Sequence, residues 1–249
     1  MIKAVMFDMG GTLEDIHSEE KNNHATAVEL YRILTEHGIT VPYEADELWS
    51  IVGPRIDEYK DESVKTLREL KPEEIWVNYA FKGIDCDKEK LAACSEEIAA
   101  MWEVTFYDRK LREHVPEMLK GLKELGLYVS VVSNTSSLFQ VFDILEKYGI
   151  RDYFDDITLS SVTGYRKPHP YIFEIALRQG RLKPEECAYV GDTVSRDIVG
   201  PKKAGYGETF QIISALTPFK DTGKYDVKPD HVVSDMLDVY NILKEELGK

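Results

Sequence analysis

The opening of the chain constrains it most. Residues Ile2 to Phe7 form a short apolar run, continuous rather than alternating, the pattern of a strand buried on both faces of a parallel sheet. The run stops at Asp8, and Gly10 and Gly11 follow, residues that let a backbone turn sharply without a Cβ penalty. An acidic group at the carboxyl end of a buried parallel strand stands where open α/β sheets bind their ligands. Asp8 is therefore a candidate nucleophile or metal ligand. An aspartate before glycines is also an ordinary turn former, and this segment alone leaves both readings open.

Three later segments repeat the arrangement. Tyr128 to Ser133 is a second β-rich run, ending in the hydroxyl of Ser133 and the amide of Asn134. Lys167 lies just before a proline-started helix, Tyr171 to Gln179. Cys187 to Val190 is a third strand, running into Gly191 and Asp192, with Asp197 roughly one helical turn further on. Any one of these patterns arises by chance. Four in this order, each at a strand tip or a helix start, point to a single site.

Between about residues 17 and 112 the chain changes character. Ala27, Leu30, Tyr31 and Leu34 are spaced for one apolar helix face. Further helices are expected over Glu44 to Tyr59, over Ile75 to Phe81 after Pro72, and over Lys88 to Phe106, with no strand candidate in the block. Beyond the helix Pro116 to Leu125, strands and helices alternate: strand Tyr128 to Val132, helix Ser137 to Tyr148, strand Ile157 to Ser160, then helix Arg196 to Ala204 after the third strand. Strands Thr209 to Ile213 and His231 to Val233 and the helix Met236 to Leu247 follow, and Leu216 to Asp230, with Pro218, Gly223 and Pro229, reads as an exposed connection. Such alternation predicts an α/β fold with a doubly wound parallel sheet. Its core is expected in residues 1–16 and 113–249, with an inserted all-helical domain over 17–112. Inserted there, that domain hangs over Asp8 and would serve as a lid that excludes water.

Taken together, Asp8 to Thr12, Ser133, Lys167, and Asp192 with Asp197 resemble the four motifs of the haloacid-dehalogenase-like superfamily, whose members are mostly magnesium-dependent phosphatases. The resemblance covers the whole chain, with Asp15 to about Arg112 in the place of the family's helical cap. It implies that Asp8 attacks phosphorus to give an aspartyl-phosphate. Two anions cannot approach unaided, so a hard divalent ion, Mg2+, is implied between them, held by Asp8, the Gly10 carbonyl and Asp192. Ser133 and the amides around Gly11 and Asn134 would donate to the phosphoryl oxygens. Lys167 would offset charge on nucleophile and phosphate together, and Asp197 would anchor metal-bound water or Lys167.

One family residue is absent. The position two after the nucleophile, normally an aspartate acting as general acid and base, is Gly10. A glycine keeps the carbonyl for a metal but cannot transfer a proton, a function typically worth about 10²- to 10⁴-fold in rate. Glu14, Asp15, His17 and His24 are the nearby groups able to replace it. Without a replacement the enzyme should favour acyl or aryl phosphates, whose leaving groups need no proton, and should hydrolyse phospho-Asp8 slowly. The alternatives are a phosphate-binding regulatory module without physiological turnover, or a phosphonate-cleaving relative. For the latter, no lysine among Lys21, Lys60 and Lys82 stands out as a Schiff-base former. A dehalogenase is disfavoured because Gly191 and Asp192 are intact.

A net charge of −14 and a pI near 4.9 argue against nucleic acid or an anionic membrane as partner. The expected partner is a small phosphorylated metabolite, which Lys167 must attract against an unfavourable global field; Arg166 and Arg196 are candidate helpers, each expected more at the surface. The three cysteines have no zinc spacing, and Cys187 should simply pack in its strand. Asn134 to Ser136 matches a glycosylation sequon, but the chain opens on a core strand rather than a leader and has no apolar run near the ~20 residues of a membrane helix. A reducing cytoplasm is the expected location. Trp49, Trp76 and Trp102 should fill a core.

Overall fold

The computed structural model describes residues 1–214, 223 and 225–248. Most of the connection expected over Leu216 to Asp230, residues 216–222 and 224, lies outside the described residues.

Six strands form the central sheet: β1 (Ala4–Phe7), β4 (Tyr128–Ser133), β5 (Asp156–Leu159), β6 (Cys187–Gly191), β7 (Glu208–Ile212) and β8 (His231–Val233). Their order is β5-β4-β1-β6-β7-β8, and every pair is parallel. β1 lies between β4 and β6, with all four of its residues buried. Its alternation divides the core. Val5 and Phe7 pack with α5 (Val115–Glu124), α6 (Gln140–Lys147) and α10 (Met236–Glu246), whereas Ala4 and Met6 pack with Ile172, Phe173 and Ala176 of α8 (Pro170–Gly180). This two-faced burial is what the continuous apolar run demands. The doubly wound parallel sheet expected from the sequence is the fold observed.

The segment inserted after β1 is helical: α1 (Glu20–Glu36), α2 (Ala45–Thr66), α3 (Pro72–Glu74) running into a π turn (Ile75–Ala80), and α4 (Lys88–Thr105). These helices have an apolar cluster of their own, in which Leu30, Ile33, Trp76, Phe81 and Ile98 are buried together with Trp49 and Trp102. Two strands absent from the sequence reading stand at its entry and exit. β2 (Glu14–His17) and β3 (Asp108–Leu111) pair antiparallel, Glu14 opposite Leu111 and His17 opposite Asp108. Each is short and mostly charged, so neither carries an alternating apolar signal. Long-range pairing creates them.

Other boundaries moved for local reasons. α2 continues through Pro54 to Thr66 rather than ending at Tyr59. The helix expected from Ser137 begins at Gln140, because Ser137 Oγ itself accepts the Gln140 N–H at 3.0 Å. The single helix expected over Arg196 to Ala204 is a π turn, Val194–Ile198, followed by the short α9 (Val199–Lys203), and a short α7 (Ser160–Thr163) follows β5 directly.

Candidate active site

Three adjacent strands deliver the polar groups. The register sets Phe7 beside Val131 and Val190, so Asp8, Ser133 and Asp192 emerge together at the carboxyl edge of β1, β4 and β6. Asp8 is held from its first atom: its Oδ1 accepts the Met9 N–H at 2.7 Å and lies 2.7 Å from Lys167 Nζ. Two glycines allow the close approach that follows. A Cβ on Gly11, whose φ is +95°, would fall against the Asp192 carboxylate, and one on Gly191 would fall against Asp197. Only glycine lets these loops converge.

Lys167 is buried, and its three donors are all engaged. They reach Asp8 Oδ1 at 2.7 Å, Asp197 Oδ1 at 2.8 Å and the Tyr189 hydroxyl at 3.0 Å. Tyr189 in turn donates to the Val132 carbonyl at 3.0 Å. Asp197 Oδ2 accepts the Thr193 hydroxyl at 2.7 Å and the Thr193 N–H at 3.2 Å. Burial opposes its charge, but Lys167 and then Arg196 outweigh burial and hold the carboxyl below its ordinary value. Asp192 Oδ2 accepts the Ser214 hydroxyl at 3.0 Å. Asp8, Asp192 and Asp197 are all buried and each offers an oxygen within 4.8 Å of the others, a donor set that fits a hard cation. In the turn, the Gly11 N–H donates to the Glu14 carbonyl at 2.7 Å and the Glu14 N–H to Met9, which brackets Gly10 and leaves its carbonyl outside the bonding. The Gly11 amide, expected to face a phosphoryl oxygen, is thus committed elsewhere.

The Asn134 side chain has a part of its own. It clamps the lysine's backbone, Oδ1 accepting the Lys167 N–H at 2.8 Å and Nδ2 donating to the Lys167 carbonyl at 3.2 Å. Ser133 is buried at the strand end and lines the cavity beside Asp8.

That cavity, about 340 Å³, lies between the strand ends and the inserted helices. Asp8, Gly10, Ser133, Lys167 and Arg196 line it from below, and Tyr59, Lys60, Trp76 and Trp102 from above. The Lys60 ammonium sits 4.2 Å from the Trp102 ring centroid and donates to the Tyr107 hydroxyl at 3.1 Å.

Both arginines expected at the surface are elsewhere. Arg196 is half-buried in the cavity wall, its Nε donating to Thr193 Oγ1 at 3.2 Å and its terminal nitrogens without a partner among the described residues. Burial opposes its charge, yet Asp197, Asp8 and Asp192 hold it protonated. Its signal in the sequence was adjacency to Asp197. Arg166 pairs with the fully buried Glu69. The candidate replacements for the missing acid are scattered. Glu14 is buried against Arg109 and accepts the Tyr148 hydroxyl at 2.9 Å; Asp15 is exposed and paired with Arg112 at 2.9 Å. His24 is exposed on Asp46 at 2.8 Å, and of the four only His17, itself exposed, lines the cavity. A Cβ on Gly10 would lie 3.0 Å from Ile16 Cδ1, so a methyl group stands where a side chain at position 10 would extend.

Among the described residues no helix is long and apolar enough to cross a membrane. The model of the haloacid dehalogenase-like hydrolase family matches residues 2–205. A glyceraldehyde 3-phosphate phosphatase of Methanocaldococcus jannaschii is 25% identical over 251 residues, covering 99% of this chain and 100% of the relative. Another, of Methanopyrus kandleri, is 29% identical over 206 residues, 82% of each chain. A 2-haloacid dehalogenase structure from Pseudomonas syringae superposes with a TM-score of 0.66 over 99% of this chain and 100% of its own, at 22% identity, a likeness of fold. With the family match running from β1 to the loop after α9, the chain belongs to the haloacid dehalogenase-like hydrolases.

Proposed function

We propose that this hydrolase is a magnesium-dependent phosphatase of small phosphorylated metabolites, working through an aspartyl-phosphate on Asp8. The observation that carries the reading is the convergence of Lys167 on Asp8 and Asp197 beside Asp192, a buried ammonium among three carboxylates. Asp8, the Gly10 carbonyl and Asp192 would hold Mg2+, which when bound neutralises the phosphoryl oxygens. One carboxylate oxygen of Asp8 attacks phosphorus while the other would face the cation. Its bond to phosphorus forms as the bond to the leaving oxygen breaks; water then cleaves the acyl phosphate, restoring Asp8 and releasing phosphate. Ser133 and Lys167 bind phosphoryl oxygens. Asp197 fixes Lys167, and Asn134 fixes the lysine's backbone. Residues 17–112 act as a cap over a core of 1–16 and 113–249, closing the cavity against water. The three free cysteines, two of them buried, fit the reducing cytoplasm.

Gly10 supplies no proton and Ile16 walls the gap apolar, so the leaving oxygen departs with its charge. Arg196, a permanent cation in the cavity with open donors, would stabilise that charge. This favours acyl and aryl phosphates over alkyl ones. The name of the curated relatives puts glyceraldehyde 3-phosphate, an alkyl ester, on the same panel. Turnover of phosphate esters with and without Mg2+, in the wild type and in Asp8→Asn, tests the proposal. Magnesium-dependent release of phosphate that Asp8→Asn abolishes supports it; release that survives the substitution refutes it. Rapid mixing with an aryl phosphate should show a burst.

A further inference from the structure

Two carboxylates from the inserted segment reach into the two loops that carry the phosphate-site residues. Glu69, in the stretch after α2, is fully buried. Its Oε2 accepts the Ser160 hydroxyl at 2.8 Å and pairs with Arg166, and its Oε1 accepts the Tyr59 hydroxyl. The backbone reinforces the contact. The Glu69 N–H donates to the Gly164 carbonyl at 3.2 Å and the Arg166 N–H to the Leu67 carbonyl at 3.0 Å, so Leu67 to Glu69 pairs with Gly164 to Arg166 directly before Lys167. Arg68 lies 4.3 Å over the Tyr165 ring in the same pairing.

Glu96 of α4 does the equivalent on the other side. Its Oε1 accepts the Ser137 hydroxyl at 2.5 Å, the Leu138 N–H at 2.9 Å and the Phe139 N–H at 3.1 Å. The two gripped loops are joined to each other by the double Asn134–Lys167 bond. A continuous chain of contacts therefore runs from the inserted helices, through Glu96 and Glu69, to Lys167 and on to Asp8.

We infer that Glu69, supported by Glu96, is a positioning residue: it ties the cap to the Lys167 loop, so that the ammonium is set on Asp8 when the cap is seated. The physical basis is that hydrogen bonds to a buried charged group are the strong ones, and that a carboxylate stripped of water needs every donor it has. When the helices lift, Glu69 leaves Ser160 and Arg166 together, and the segment before Lys167 loses its backbone pairing with Leu67 to Glu69. The cap would then act on the chemistry as well as on solvent access.

The inference rests on the proposed role of Lys167, and the test separates the two. In the full chain without ligand, amide hydrogen exchange is measured at Arg166 in wild type, Glu69→Gln and Glu69→Asp, with β4 amides as the reference for intact folding. Glu69→Gln should raise exchange at Arg166 by about tenfold or more while β4 stays protected, and Glu69→Asp should recover part of the protection. With p-nitrophenyl phosphate and Mg2+, Glu69→Gln should lower kcat by about tenfold with KM changed by less than about twofold, the signature of misplaced chemistry rather than lost binding. Exchange at Arg166 unchanged in Glu69→Gln would overturn the inference, as would raised exchange with unchanged kcat. If Glu69→Gln does not fold, Tyr59→Phe removes one donor and leaves the Arg166 pair; a smaller rise at Arg166 supports the tie and no rise refutes it. Should the wild type hydrolyse nothing on the panel, the proposed function fails, and the exchange measurement still decides whether Glu69 holds the loop.

Discussion

Single residues decide how this site departs from its family. Gly10 removes the proton donor, and Ile16, at 3.0 Å from where a Cβ would stand, fills the gap with methyl groups. Restoring the carboxylate therefore needs room. Gly10→Asp combined with Ile16→Val should raise kcat on alkyl phosphates by about 10²-fold and change aryl phosphates little, read as paired rates on the two ester classes. Arg196 carries the opposite expectation. Arg196→Met should lower kcat/KM by about 10²-fold, most on the poorest leaving groups, whereas Arg196→Lys should retain part of it; equal rates for Met and wild type would remove Arg196 from the reaction. Both residues show the limit of reading a motif residue by residue. Gly10 was legible as a gap, because the motif defines what should stand there. Arg196 is legible only as a candidate helper, because Asp8, the carboxylate it meets from outside its own segment, follows a strand far away in the chain.

At the scale of elements, the β2–β3 ribbon joins the helices to the sheet and is fastened by buried charge. Arg109 lies between Glu14 and Glu103, the latter at 2.5 Å. Burial pushes the Glu14 carboxyl up, and Arg109 opposes that shift. Arg109→Ala leaves Glu14 and Glu103 unpaired and should destabilise the protein by about 3 kcal/mol, measured by chemical denaturation. One strand in from the far edge of the sheet, Glu208 on β7 is pushed up to about 7, by burial first and then by Glu246. Between the ordinary carboxyl range and that value the folded chain holds a proton the unfolded chain has released. Its contribution is therefore present in acid and lost as pH rises through 7. Glu208→Gln should flatten the fall in stability between pH 5 and pH 8 by about 1 kcal/mol, the partial exposure of the group being allowed for. The β2–β3 pair could not be foreseen from local pattern, whereas β7 and β8 could. Long apolar elements such as α1 and β4 announced themselves by period; short charged ones exist only because a distant partner supplies their hydrogen bonds.

For the whole molecule, three buried carboxylates against the Lys167 ammonium and the Arg196 guanidinium leave the site net negative, which favours a further cation. Mg2+ should raise the melting temperature by a few degrees through linkage, and Asp192→Asn should abolish that rise while leaving the metal-free melting temperature unchanged or higher. A melting temperature indifferent to Mg2+ would place the metal elsewhere. What the sequence determined alone was the sheet and the positions of its polar strand ends: apolar runs must be buried, and a run that stops at an acid or a hydroxyl marks an edge. What only the tertiary structure decided was who meets whom there. The grip of Glu69 and Glu96 on the loops, the turn of Asn134 onto the Lys167 backbone and the entry of Arg196 into the cavity are contacts between segments far apart in the chain. Periodicity carries a residue's own burial, but the identity of a partner many residues away is fixed by packing.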